Sequence, residues 1–264
     1  MSYYTSISGL KNAQTDLNVI SHNIANAETN GFKKSRVEFA DIVASSSFTN
    51  PKQQQGIGSA VDSITQNFAI GPVEQTGSAL DVAITGDGFF EIKAPGGQTM
   101  FTRNGSFAVD ENGFIHDGSG NRLQAFAGTT TTGDPADIQI PPTAGTATFT
   151  GVTISPKGAV TASYSDGTNT QVGTIALATF IAPSGLKQVG SSNWTQTGLS
   201  GAPTFGAPDT GANGALLSGS IEHSNVDVAE ELVNLITAQR YFQANAKAID
   251  TATQISQTII GLRS

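Results

Sequence analysis

Residues 227–262 read DVAEELVNLITAQRYFQANAKAIDTATQISQTIIGL, with no helix breaker before Gly261. Asp227 is a good N-cap, Glu230 stands three residues on, and Glu231 adds negative charge near the positive helix end. The predicted helix has about 34 residues and is roughly 50 Å long. Stepped at about 100° per residue, Val228, Leu232, Leu235, Phe242, Ile249 and Ile260 share one sector. Val233, Tyr241, Ile255, Ile259 and Leu262 fall nearly opposite. A helix apolar on two sides lies deep in a large core or packs among several helices.

The sequence offers one other long helix. Residues 3–28 carry apolar or small residues at Tyr3, Ser6, Leu10, Ala13, Leu17, Ile20, Ile24 and Ala27, a 3-4 alternation that puts them on one face. This helix of roughly 26 residues, about 40 Å, is expected to stop at Asn30-Gly31, residues that tolerate the left-handed conformation. It covers one apolar face of the last helix and leaves the second. The two ends therefore read as helices made for pairing and for being joined to copies of the same chain. They are expected to be loose in a lone subunit and ordered in an array.

Between them the chain is rich in Gly, Thr, Ser and β-branched residues. After a short mixed piece to Val43, residues 44–59 lack periodicity and read as a linker. From Val61 the period becomes two. Strands are expected at Val61–Phe68, Leu80–Ile84, Phe89–Ile92, Met100–Arg103, Phe107–Val109, Phe114–His116, Val152–Ile154, Val160–Tyr164 and Val172–Phe180. Asn112-Gly113 is a strong hairpin signal. Residues 128–150 and 197–215 read as loops or turns. The fold class is α+β: long N- and C-terminal helices paired in a coiled-coil-like manner, joined by an extended linker to an all-β domain. The expected divisions are residues 1–31 with 225–264, a linker over 32–72 with extended or hairpin character, and a β-rich domain over 73–224.

Charged residues make up 13% of the chain and the net charge is −8, so nucleic acid, which needs a basic footprint, is not an expected partner. No stretch approaches the roughly 20 apolar residues of a membrane span, and no basic region followed by an apolar one opens the sequence. There are no cysteines to form disulfides.

Little points to catalysis. His22, His116 and His223 are far apart and none has metal-ligand spacing. Gly86-Asp87-Gly88 lacks the third glycine and following helix of a dinucleotide site, and reads better as a tight turn. Asp110-Glu111-Asn112-Gly113 lacks the later ligands of a calcium loop. Trp194 and the phenylalanines fall among strands and read as core. No enzyme activity and no cofactor are expected.

Several runs, however, are specific. Ser8-Gly9-Leu10, His22-Asn23-Ile24-Ala25-Asn26-Ala27 and Thr29-Asn30-Gly31-Phe32-Lys33 resemble the N-terminal signature of the flagellar rod and hook axial proteins. Ser224–Val228, Glu231–Ile236, Ala238-Gln239-Arg240 and Gln243–Lys247 resemble the C-terminal signature. Ala79–Ile84, Gly88-Phe89-Phe90 and Phe101–Phe107 match between them. Ile64–Phe68, Arg103-Asn104-Gly105 and Ile260–Arg263 look most like the hook members, whereas residues 128–150 are too short for a further inserted domain, giving a subunit of distal-rod size.

The resemblance implies a hollow helical tube of identical subunits, with paired terminal helices lining the inside and the all-β domain forming the outer wall. The first expectation is a flexible universal joint, the hook, passing torque from rod to filament; the alternative is a distal rod subunit, a rigid drive shaft. Self-assembly is expected to rest on Leu10, Leu17, Ile20, Asn23, Ile24, Asn26, Val228, Leu232, Leu235, Phe242, Ile249, Ile255, Ile259 and Leu262, and the joint on Gly31, Phe32 and Lys33. Implied partners are copies of the chain, the distal rod protein, the hook cap, the hook–filament junction proteins and the flagellar type III export apparatus. The implied location is the extracellular hook or basal body, reached without a cleaved signal peptide. A rival from another class is a secreted β-rich binding module, which requires a concave ligand site in the body and a closed oligomer.

Overall fold

The computed structural model describes residues 2–43, 56–131, 133–144 and 147–261. Its residues group into two compact units, the first drawn from Met1–Ala27, Lys34–Asn67 and Val226–Ser264, the second from Glu28–Lys33 and Phe68–Asn225.

The first, helical unit holds α1 (Ser2–Ala25), the strands β1 (Ser35–Val43) and β2 (Gly56–Gln66), and α2 (Val228–Gly261). α2 begins where the sequence places it. Asp227 Oδ1 accepts the Ala229 and Glu230 amides at 2.8 and 3.2 Å, satisfying donors that have no partner inside the helix. α1 ends earlier than Asn30-Gly31. The Asn26 side-chain amide donates to the His22 carbonyl at 2.8 Å, and the Asn26 and Ala27 amides bond three residues back, tightening the last turn at Ala25.

The two helices run antiparallel. A Cβ at Gly9 would lie 2.6 Å from Asn245 Oδ1, and Asn23 Nδ2 is 3.2 Å from Glu231 Oε2. The linker expected over residues 44–59 is a strand from Gly56 on; residues 44–55 lie outside the described residues. β1 and β2 form an antiparallel ribbon pairing Ser35 with Gln66 and Val43 with Gly56, with irregularities at Glu38/Phe39 and Ile42/Val43. The ribbon lies on α1: Asn12 donates to Ser59 Oγ at 2.7 Å, and Gly58 leaves room for Ser8, whose Oγ a Cβ would approach to 2.5 Å.

The second, β unit is built on an antiparallel sheet. Its path runs through Thr143–Ala144, Ala147–Ile154, Ala159–Tyr164, Asn169–Ile175, Arg122–Ala127, Phe89–Lys93, Thr99–Thr102, Asn193–Thr195 and Lys187–Gly190. The expected hairpins form. Phe107–Val109 pairs with Ile115–Asp117 across Asn112-Gly113, where Gly113 has φ +83° and a Cβ would meet the Ile140 carbonyl at 2.1 Å. Residues 128–150 are more regular than expected: they carry Ala136–Asp137, Thr143–Ala144 and the start of Ala147–Ile154. Tyr164 ties this region down by donating to the Pro141 carbonyl at 3.0 Å. The Gly- and Thr-rich stretch 197–215 contributes Thr204–Gly206 and the start of Ala215–Ser218, which pairs with Val82–Thr85. Ser220–Glu222 pairs with Val73–Gln75.

Two clusters fill this unit. One is mainly aliphatic and includes Ile84, Ile92, Ile115, Leu123, Val160 and Ile175. The other is aromatic: Phe89, Phe101, Phe180 and the fully buried Trp194, with Phe68 packed edge-on to Phe89 and Trp194. The core roles read from the sequence for Trp194 and these phenylalanines are met.

Candidate assembly surface and polar anchors

The less exposed positions of α2 are Glu231, Asn234, Leu235, Ala238, Phe242, Asn245, Ala246, Ile249 and Ala252, which fall along one side of the helix. They make a single seam against α1, where Ala13, Ile20 and Asn23 are buried and Leu10, Leu17, Ile24 and Asn26 half-buried. Gly9 leaves room for the Asn245 side chain, and the small residues Ala13 and Ala238 are buried. The rest of α2 is open: Val228 and Leu232 flank the seam at 41% and 46% exposure, while Val233 and Tyr241 are more than 60% exposed. The two-faced helix read from the sequence thus keeps its second apolar face uncovered among the described residues.

A further uncovered region follows from register. With Gly9 beside Asn245, Ser2 falls opposite Ala252, and residues 253–261 run about 14 Å past the start of α1. Ile255, Ile259 and Ile260 lie there, 56–70% exposed. Leu262 lies outside the described residues. The ribbon adds Phe39, Ile42, Ile57 and Ile64, all exposed.

Polar anchors hold each unit internally. In the helical unit Asn23 exchanges two 2.9 Å bonds with the Ser35 backbone and reaches Glu231 Oε2 at 3.2 Å. Glu231 is buried inside the seam and is met by Lys34 Nζ at 2.7 Å, which also lies 3.2 Å from Glu230. Burial draws the Lys34 pKa down, but the bonds to Glu231 and Glu230 outweigh it and raise the ammonium's pKa. Burial, with Glu231 nearby, pushes the Asp16 carboxyl up.

In the β unit the adjacent Lys33 goes to a different carboxylate. Gly31, Phe32 and Lys33, expected at the joint, are buried here, and Lys33 Nζ forms an ion pair with the fully buried Glu222 and donates to the Ala69 carbonyl at 2.8 Å. Arg103 lies 3.5 Å from the other Glu222 oxygen, donates to the Gly86 carbonyl at 2.9 Å and places its guanidinium 5.2 Å from the Phe89 ring centre. Burial pulls both cations below their ordinary pKa, and Glu222 opposes that shift. Glu222 and Glu231 were not singled out from sequence as anchors. In sequence Glu231 reads only as a charge near the start of α2, and Glu222 sits at the end of the strand Ser220–Glu222.

The histidines make local contacts. His116 Nδ1 meets the Asp117 carbonyl at 2.7 Å, His223 meets Glu74 at 2.6 Å, and His22 belongs to the end of α1. Among the described residues no three His, Cys, Asp or Glu side chains could hold a metal. An open cleft in the β unit contains Lys93, His116, Arg122 and Asp137. Arg122 is already engaged there, 2.8 Å from Asp137 and stacked 3.9 Å from the Phe114 ring centre. No helix among the described residues is long and apolar enough to cross a membrane.

Seams, ribbon and anchors of this kind describe a structural subunit, and comparison with known proteins agrees. Three family models match the chain: a flagellar basal body rod protein model over residues 4–33, the D1 domain of the flagellar hook proteins FlgE/F/G over 83–162, and the FlgEFG C-terminal model over 217–262. The flagellar basal-body rod protein FlgG of Bacillus subtilis is 38% identical, covering 99% of this chain and 98% of its own length. FlgG of Caulobacter vibrioides is 37% identical over 98% of both chains. The flagellar hook protein FlgE of Salmonella typhimurium is 27% identical over the whole of both. The chain belongs to the flagellar hook and rod axial protein family, whose members are structural subunits of the flagellum.

Proposed function

We propose that the chain is a distal rod subunit that polymerises into a hollow helical tube and serves as a rigid drive shaft, without catalysis. The observation that carries this reading is the uncovered apolar surface of α2, on its open face and over residues 253–261. Apolar surface of this extent marks a site for protein partners, and different patches at different ends of one subunit favour open helical growth over a closed dimer. The rod reading, rather than the hook reading expected first, is supported by the higher identity to rod proteins along nearly the full chain. It is also supported by the ribbon of β1 and β2, which is bonded to α1 at Ser35 and Ser59.

On this reading paired terminal helices, coiled about each other, line the tube and the β unit forms its wall. Partners are copies of the chain, adjoining axial proteins of rod and hook, and the type III apparatus that exports them. The test is to image concentrated purified protein by electron microscopy. Straight tubes support the rod, curved tubes return the assignment to the hook, and small closed oligomers favour the binding-module alternative.

A further inference from the structure

The chain passes between its two units at residues 27/28, 33/34, 67/68 and 225/226. Three segments of the β unit carry these crossings: 28–33, the stretch from Phe68, and the stretch up to Asn225. All three meet Glu222. Its carboxylate takes Lys33 from the first and the Gly71 amide, at 3.0 Å, from the second; its own carbonyl accepts the Gly31 amide at 2.8 Å. Arg103, 2% exposed, ties the same carboxylate to the sheet.

There is no slack in this arrangement. A Cβ on Gly31 would lie 2.4 Å from the Asn104 amide nitrogen, and one on Gly71 would lie 2.2 Å from the His223 carbonyl. We propose that Glu222, with Lys33 and Arg103, is a clasp that makes these crossing segments open and close as one event. The physical reason is asymmetry: removing one partner from a buried charge cluster strands the others without solvent, at far greater cost than the intact cluster gains. If 220–225 left alone, two buried cations would lose their anion. If 28–33 left alone, Glu222 would lose its closest cation. The segments therefore leave together. The clasp rests on the rod reading only for its use: in a shaft, a twist applied to the terminal helices enters the β unit through these crossings, and a clasp makes them take it jointly.

Native-state hydrogen exchange on the full-length monomer tests the clasp. The Gly31, Gly71 and His223 amides, the last bonded to the Pro72 carbonyl at 2.9 Å, are expected to share one opening constant and one denaturant dependence. Opening constants differing by more than about tenfold in the wild-type protein would overturn it. Lys33→Met should accelerate His223, which Lys33 does not touch, together with Gly31 by on the order of 100-fold. The Ile175 amide in the sheet should be unchanged. Acceleration confined to Gly31, or absent, sinks the clasp. Glu222→Gln should match the Lys33→Met pattern. Absence of tubes in concentrated protein would remove the rod reading and leave these exchange rates as they are.

Discussion

Asn23 shows how much one side chain carries in this protein. It fastens α1 to β1 through both Ser35 backbone groups and touches Glu231 of α2. Asn23→Ala would leave those groups buried and unpaired. We expect a loss of about 2–4 kcal/mol in urea unfolding followed by helical ellipticity, with little change in the Trp194 signal. Glu91 makes a second, pH-dependent prediction. Burial raises its carboxyl to about 7 from the ordinary 4.5; Lys93 opposes this and Asp134 adds to it. The folded chain thus holds a proton that the unfolded chain releases. Its contribution to stability is complete below about pH 4.5 and is lost as pH rises through 7. Up to about 3 kcal/mol is at stake, and Glu91→Gln should flatten the stability profile across that window. A lysine pair gives the residue-scale lesson. In sequence Lys33 reads as a residue of the joint, yet it is sealed against Glu222, and the adjacent Lys34 bridges to Glu231. Sequence distance hides both partners.

The elements themselves were largely legible. α2 begins at the expected cap and is helical through Gly261, the last described residue, because the Asp227 carboxylate and an unbroken run of helix-compatible residues are local causes. α1 stops short because Asn26 bonds back to His22, a competition that periodicity does not register. The ribbon was harder to see: β1 and β2 hold each other and lie on α1, so their order comes from neighbours rather than alternation. The same holds for Ala147–Ile154, paired with Ala159–Tyr164 through a stretch of low apparent regularity. At this scale we predict graded protection along α2. Amides of 253–261, past the start of α1, should exchange at least about 100-fold faster than those of 235–249. Uniform protection in the monomer would mean that the end of the helix needs no cover.

For the whole molecule the question is where a second copy attaches. Ile255 and Ile259 are exposed beyond the seam and sit on the face opposite Leu235 and Phe242. Ile255→Asp or Ile259→Asp should abolish tube formation, read by light scattering and microscopy, because a charge would enter a buried contact between subunits. The near-ultraviolet dichroism of Trp194, fully buried in the β unit, should be unchanged. Normal tubes from both variants would separate the open face of α2 from assembly.

The sequence by itself determined that both ends are helical, the Asp227 cap, the β body with its hairpin turns and the apolar excess on α2, since each follows from spacing or from residues a few positions apart. The tertiary structure alone decided that Glu222 and Glu231 are anchors, that Gly31-Phe32-Lys33 are buried, and that α2 outruns α1. Those outcomes depend on register and on partners some 200 residues away in the chain, and burial makes each unpaired charge too costly to leave. No local pattern records such a choice.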